Sequence, residues 1–146
     1  MENIYFLARR ISGLSQERWA EMLGVSTEAV SLYERGLNQP SDRVVSRMAE
    51  IAVLPPLCYW HLRQKSEIAK RELPPVDRLP LAQAVVQLLD AIRAFTAAHG
   101  EEDLIRIAAD GRVDPEEQER FKRIVRDLDG IVRASLQINY AEEVTP

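Results

Sequence analysis

The sequence predicts an all-α protein, an N-terminal five-helix unit followed by a C-terminal helical hairpin or bundle. Three observations carry that expectation. Apolar residues recur at steps of 3 and 4 through most of the chain. Most Gly and Pro residues fall between those periodic segments. No stretch alternates with the period of two that a half-buried strand requires.

The elements follow in order. Ile4, Leu7, Ala8 and Ile11 share one face of a helix that stops at Gly13. Ser15 is placed to cap a second helix over about 16–23, and Ser26 a third over about 27–36. The turn LNQPSD (37–42) leads into a fourth helix, opened by Ser41 or Asp42 and reaching about Ala52. Pro55-Pro56 breaks the pattern, and a fifth helix is expected over about 57–72. Pro74, Pro75 and Pro80 then bracket a stiff linker. Beyond it, Leu81, Val85, Leu88, Ile92 and Phe95 form one stripe, and Phe121, Ile124, Leu128, Ile131, Ser135 and Ile138 form another. DPEE at 114–117 has the form of a cap, a first-turn Pro and a Glu three residues on, so the last helix is expected to open at Asp114. The two stripes can pack as an antiparallel pair or across two subunits. A bundle of roughly 65 residues is small to stand alone, which favours pairing of copies. The expected organisation is a unit at 1–72 that includes the linker helix, a Pro-rich linker at 73–80, and a C-terminal region at 81–146 for oligomerisation or regulation.

The segment QERWAEMLGVSTEAVSLYER (16–35) is the most specific. It reads as two short amphipathic helices joined by Gly24, where a left-handed backbone costs glycine little. Trp19, Leu23, Val25, Val30 and Tyr33 fall inward, with the small Ala20 at the crossing, while Thr27, Glu28, Ser31 and Arg35 fall outward. On a DNA reader that outward strip would face the major groove.

Residues 4–53 resemble the DNA-binding domain of the phage repressor and Cro type, the XRE family. The matching pieces are Arg9, GLSQ (13–16), Ala20, GVS (24–26), Val30, YERG (33–36), Pro40-Ser41 and Met48-Ala49, in order and at the expected separations. The resemblance implies a five-helix domain whose second and third helices read DNA. It assigns Gln16 to a phosphate contact that also braces the recognition helix, and Thr27, Glu28 and Ser31 to base edges, with Leu32 as an apolar contact. Asn38 falls at a loop position that touches DNA, and Arg9 with Glu34 at a structural ion pair. Arg35 and Arg43 are the leading candidates for further phosphate contacts, ahead of Arg10 and Arg47. Thr27 and Glu28 stand where amide side chains often sit in the family. A glutamate can accept from the cytosine amine, yet it is repelled by phosphate. Alternatively it caps the helix start and acts on its dipole.

Composition narrows the remaining classes. The chain has 146 residues, 46% apolar and 29% charged, without a disorder signature. No apolar run approaches the roughly 20 residues of a membrane span, and Met1-Glu2-Asn3 does not open a signal peptide. The expected location is cytoplasmic, with no membrane partner. Cys58 is the single cysteine, so an internal disulfide is impossible, and with only His61 and His99 an ordinary zinc site is not expected. ADGRVDPEE (109–117) resembles the second half of a calcium loop, but Arg106 and Ala108 occupy the first ligand positions and cannot bind the ion. A helix stop at Gly111 is the simpler reading. CYWH (58–61) reads as core opening an amphipathic helix. No catalytic grouping, metal or cofactor is expected, and both histidines read as isolated.

The net charge of -4 is distributed unevenly. Residues 1–53 carry 6 Arg against 7 acidic residues, whereas residues 81–146 carry 8 basic against 13 acidic. The acidity therefore lies away from the expected reading segment. The function expected is a sequence-specific transcriptional regulator, repressor-like and of bacterial or prophage type. Its partners would be double-stranded DNA and, through the C-terminal helices, a second copy as a homodimer. The rival is a protein-interaction module, such as an antitoxin or anti-regulator, that keeps the scaffold and uses its acidic C-terminal region on another protein.

Overall fold

The computed structural model describes residues 3–142. These form α1 (Ile4–Ser12), α2 (Gln16–Leu23), α3 (Thr27–Glu34), α4 (Asp42–Ala52), α5 (Leu57–Lys65), α6 (Glu67–Glu72), α7 (Leu81–Ala97), α8 (Gly100–Ala108) and α9 (Gln118–Asn139). The protein is all-helical among the described residues, and none of these helices is by itself long and apolar enough to cross a membrane. The chain divides into two compact units, residues 1–73 and 74–146. Residues 143–146 of the expected C-terminal region lie outside the described residues.

In the first unit, the local cap chemistry sets the helix starts. Ser15, Ser26 and Ser41 each accept a hydrogen bond from the backbone N–H three residues on, satisfying a donor the helix itself leaves open. Asn3 caps α1 by accepting from Tyr5 and Phe6. Its amide then donates to the Tyr33 carbonyl (3.0 Å), tying α1 to the end of α3. The core joins Ile4, Tyr5 and Ala8 of α1, Trp19, Ala20 and Leu23 of α2, Val30 and Tyr33 of α3, and Val45, Met48 and Ala52 of α4. Leu54 and Leu57 close it.

Two boundaries differ from expectation here. The single helix expected over 57–72 is two, because Ser66 is extended (φ -127°, ψ 121°) and its side chain caps α6 through Ala69 N–H. Serine serves a helix start better than a helix middle, since its hydroxyl competes for backbone donors. The third helix ends at Glu34, with Arg35 as its cap.

In the second unit, α9 runs antiparallel to α7. Phe95 near the end of α7 meets Phe121 and Ile124 near the start of α9, and Pro80 bridges to Glu142 beyond its end. α8 fills the corner, its Ile107 completing the small core. Gly100 opens α8 because a Cβ there would run into the Phe95 ring. The last helix does not open at Asp114 as expected. Residues 115–117 form a turn and α9 begins at Gln118. Half of the expected capping box survives, with Glu117 accepting from the Asp114 N–H (3.1 Å). Gly111 takes the left-handed backbone (φ +74°) that a stop needs. Segment 77–81 is held within this unit: Asp77 pairs with Arg133, Arg78 with Glu142, and the Glu142 N–H donates to the Leu79 carbonyl (2.8 Å).

Candidate nucleic-acid interface

The interface is built from α2, the turn at Gly24 and α3. Gly24 is left-handed (φ +68°), a backbone that a side chain would strain. Its N–H returns to the Glu21 carbonyl, and the Val25 N–H returns to that of Ala20 (3.1 Å). With Trp19, Ala20, Leu23, Val30 and Tyr33 buried, the opposite side of α3 is fixed outward. Thr27, Glu28 and Arg35 are exposed there and Ser31 half-exposed, with Leu32 half-buried beside them.

One ion pair governs the joint. Arg9 donates to Glu34 through Nε and through Nη2 (3.1 Å), and its Nη1 reaches the Leu14 carbonyl (3.0 Å). Only 7% of the Glu34 side chain is exposed. The hydrogen bond to Glu34 is the main reason the Arg9 guanidinium is held charged even more firmly than usual, outweighing the opposing effect of its burial. Gln16 joins this pair, its Nε2 donating to Glu34 Oε2 (2.8 Å). The first residue of α2 is thereby bonded to the last residue of α3. Of the two Nε2 hydrogens, one is committed and the other remains available to a phosphate oxygen.

The structure settles part of the Glu28 question. The oxygen that caps α3 is Ser26 Oγ, accepting from Ala29 N–H (3.1 Å). Glu28 sits in the first turn, exposed, and is not the cap. Its favourable interaction with the helix N-terminus remains, worth about 0.3–1 kcal/mol at an exposed site.

The other expected contact residues are placed differently. Arg35 folds back toward the Ser31 carbonyl (Nε, 3.4 Å), a weak bond that a phosphate could displace. Asn38 is exposed in the loop after α3, its Oδ1 accepting from Gln39 N–H (2.9 Å) and its amide nitrogen still able to donate. Arg43 lies apart from the strip, lining a shallow groove with Glu21, Met22 and Gly24 at the end of α2. Arg47 shares that groove, paired with Glu50 (3.0 Å), and Arg10 stacks over Phe6 (5.8 Å). The structure thus brings Gln16, Thr27, Glu28, Ser31 and Arg35 onto one α2–α3 element and sets Arg43 with the α2–α4 groove.

A chain of polar groups behind the reading element has no counterpart in the sequence reading. The Tyr5 hydroxyl lies 2.8 Å from His61 Nδ1, and His61 Nε2 lies 3.2 Å from Asp42 Oδ1, to which Lys65 also donates. Both ring nitrogens of His61 have a hydrogen-bonding neighbour. His61 is therefore not isolated. Burial raises the Tyr5 hydroxyl pKa. Asp42 is lowered, chiefly by the Lys65 hydrogen bond and then by His61. The chain links α1, α4 and α5 and leaves Cys58 outside on the exposed face. Its members are 19 and 56 residues apart, a separation that no local pattern marks.

Residues 7–51 match the family described as Helix-turn-helix, a span from α1 to near the end of α4. The N-terminal unit is a DNA-binding helix-turn-helix domain of the repressor and Cro type, and the chain carries the module of a helix-turn-helix regulator. No match is found among curated proteins or among solved structures.

Proposed function

We propose that the protein is a sequence-specific transcriptional regulator, repressor-like and of bacterial or prophage type, acting as two paired copies. The observation that carries this reading is the α2–α3 element, whose outward strip is fixed by a filled core and by the Arg9–Glu34–Gln16 joint. α3 enters the major groove with Thr27, Glu28 and Ser31 toward base edges. The start of α2 lies on a phosphate, presenting Gln16 Nε2 and the first-turn N–H groups. Arg35 swings from Ser31 to a neighbouring phosphate, Asn38 donates from the loop, and Arg43 supplies a more distant positive charge. One such domain makes few base contacts. A pair held together reads half-sites about one helical turn apart and gains effective concentration. The pairing is assigned to the C-terminal helices.

Selection of bound duplexes from a random pool tests this reading. Thr27→Ala and Ser31→Ala should change the preferred sequence, whereas Arg43→Ala should weaken all sequences alike. An unchanged profile in all three variants contradicts the assignment of the reading face. Random duplex at low salt separates the regulator from a protein-interaction module, because a DNA binder retains nonspecific affinity there.

A further inference from the structure

The second unit leaves a wide apolar face uncovered. α7 carries apolar residues on two adjoining arcs. Ala84, Leu88, Ala91 and Phe95, in steps of 4, 3 and 4, form the more buried arc, with Phe95 in the core beside α9. The small residues at 84 and 91 suit a close approach of the antiparallel α9. Leu81, Val85, Val86, Leu89 and Ile92 fall on the other arc and stand 43%, 38%, 56%, 44% and 41% exposed. The stripe expected from the sequence is therefore divided: Leu88 and Phe95 lie on the inner arc, while Leu81, Val85 and Ile92 point away from it. An apolar surface this wide exceeds the single stripe of about 100° that one neighbour requires.

We propose that a second copy of this chain covers this face, α7 lying against α7 of its partner across a twofold axis. The inference rests on the paired regulator read above and names the surface that pairs it. Several observations select this occupant. The five apolar residues carry no charge themselves, and the two charged residues of α7 at their margin, Asp90 and Arg93, are paired with each other (3.5 Å), leaving the helix without net charge. Nucleic acid is disfavoured, because the one cation α7 offers, Arg93, is paired with Asp90. From Leu81 to Ile92 the strip runs roughly 16 Å along the helix. The same chain offers a matching strip of equal length and polarity, as a twofold contact requires. The exposed parts of the five side chains amount to roughly 400 Å² per copy, on the scale of the patches that mark interaction sites. Two such strips would bury roughly 800 Å² together, the size of a weak, concentration-dependent pair below the ~1,200 Å² of standard interfaces.

The test is the mass of the full chain in solution, without DNA, by sedimentation equilibrium and with helicity followed by far-UV circular dichroism. Val86→Glu and Leu89→Glu place charge on positions already exposed in one copy, so each variant should keep its helicity. The wild type should be a dimer, and each variant should dissociate at least 100-fold more readily. Ile68→Glu, an exposed apolar position in the first unit, should leave the mass unchanged. A wild-type chain that stays monomeric at high micromolar concentration overturns the proposal and assigns the face to a different partner. Dimers that persist in both variants overturn it as well. Because no duplex is present, either failure is separate from a failure of DNA reading, which low-salt duplex binding by the wild type decides.

Discussion

The two units solve the problem of burying a helix face in opposite ways. The first gathers thirteen buried residues from α1 to Leu57 into one cluster, with Trp19, Met48, Leu54 and Leu57 fully enclosed. The second gathers only three into a cluster, Phe95, Ile107 and Ile124, with Val76, Ala84 and Ala134 buried apart from it, and among its described residues leaves nine large apolar side chains exposed, from Leu81 to Val132. The difference lies in how apolar surface is closed off: the N-terminal core is enclosed within one chain, whereas on the pairing proposed above the C-terminal helices would share a core between two copies. A surface that must hold a fixed geometry against DNA is better served by a closed core. A surface that joins two copies has to remain open until they meet.

The largest way to break this contrast is to empty the closed core. Met48→Ala should cost about 2–5 kcal/mol by cavity formation, since Met48 is fully buried. Chemical denaturation followed by tryptophan fluorescence measures it cleanly, because Trp19 and Trp60 are the only tryptophans and both lie in the first unit. Leu89→Ala, in the open face, should cost a single copy well under 1 kcal/mol, in keeping with other exposed substitutions.

Next in size is the joint beneath the recognition helix. Glu34→Ala strands Arg9, whose side chain is 16% exposed, and should cost about 3 kcal/mol. It also releases Gln16, so duplex affinity should fall even at temperatures where the variant remains folded. Full affinity in a folded Glu34→Ala protein would remove Gln16 from the account of the brace.

Acid sharpens the contrast within the first unit. The Asp42 carboxyl pKa lies below its ordinary value because Lys65 and His61 bond to the ionised form. A lowered folded-state pKa gives stability that is fully present above the unfolded value and lost as the pH falls through the folded one. Wild type should therefore exceed Asp42→Asn in melting temperature at neutral pH. The gap should close below the usual carboxylate range.

The smallest effect expected is a gain. Val53 ends α4 in the left-handed region (φ 49°), where a β-branched residue is strained, and its side chain is 75% exposed. Val53→Gly should stabilise the first unit by about 1 kcal/mol, measured by the same denaturation.

What could be read from the sequence divides along physical lines. The caps Ser15, Ser26 and Ser41, the left-handed Gly13 and Gly24 and the inward set from Trp19 to Tyr33 were legible, because each is decided within a few residues. The break at Ser66 was not, since the polar run from Arg63 to Glu67 reads equally well as the solvated side of one helix and neither Gly nor Pro interrupts it. The turn at 115–117 was missed because the capping pattern of DPEE is satisfied from Glu117 alone. Asn3 to Tyr33 and Tyr5 to His61 to Asp42 depend on distant elements meeting, which periodicity does not reveal. The outward strip itself was legible as soon as the inward residues were known. Its bracing by Gln16 came from family likeness, and the structure adds the bond to Glu34.

The contrast between a closed reader and an open half-core is tested most directly by thermal unfolding over a hundredfold range of protein concentration. Tryptophan fluorescence reports the first unit, and far-UV circular dichroism reports both. The account predicts a tryptophan midpoint that stays fixed. It also predicts a second component in the dichroism whose midpoint rises with concentration, since association stabilises the folded C-terminal helices by mass action. Midpoints that ignore concentration in both signals would contradict it.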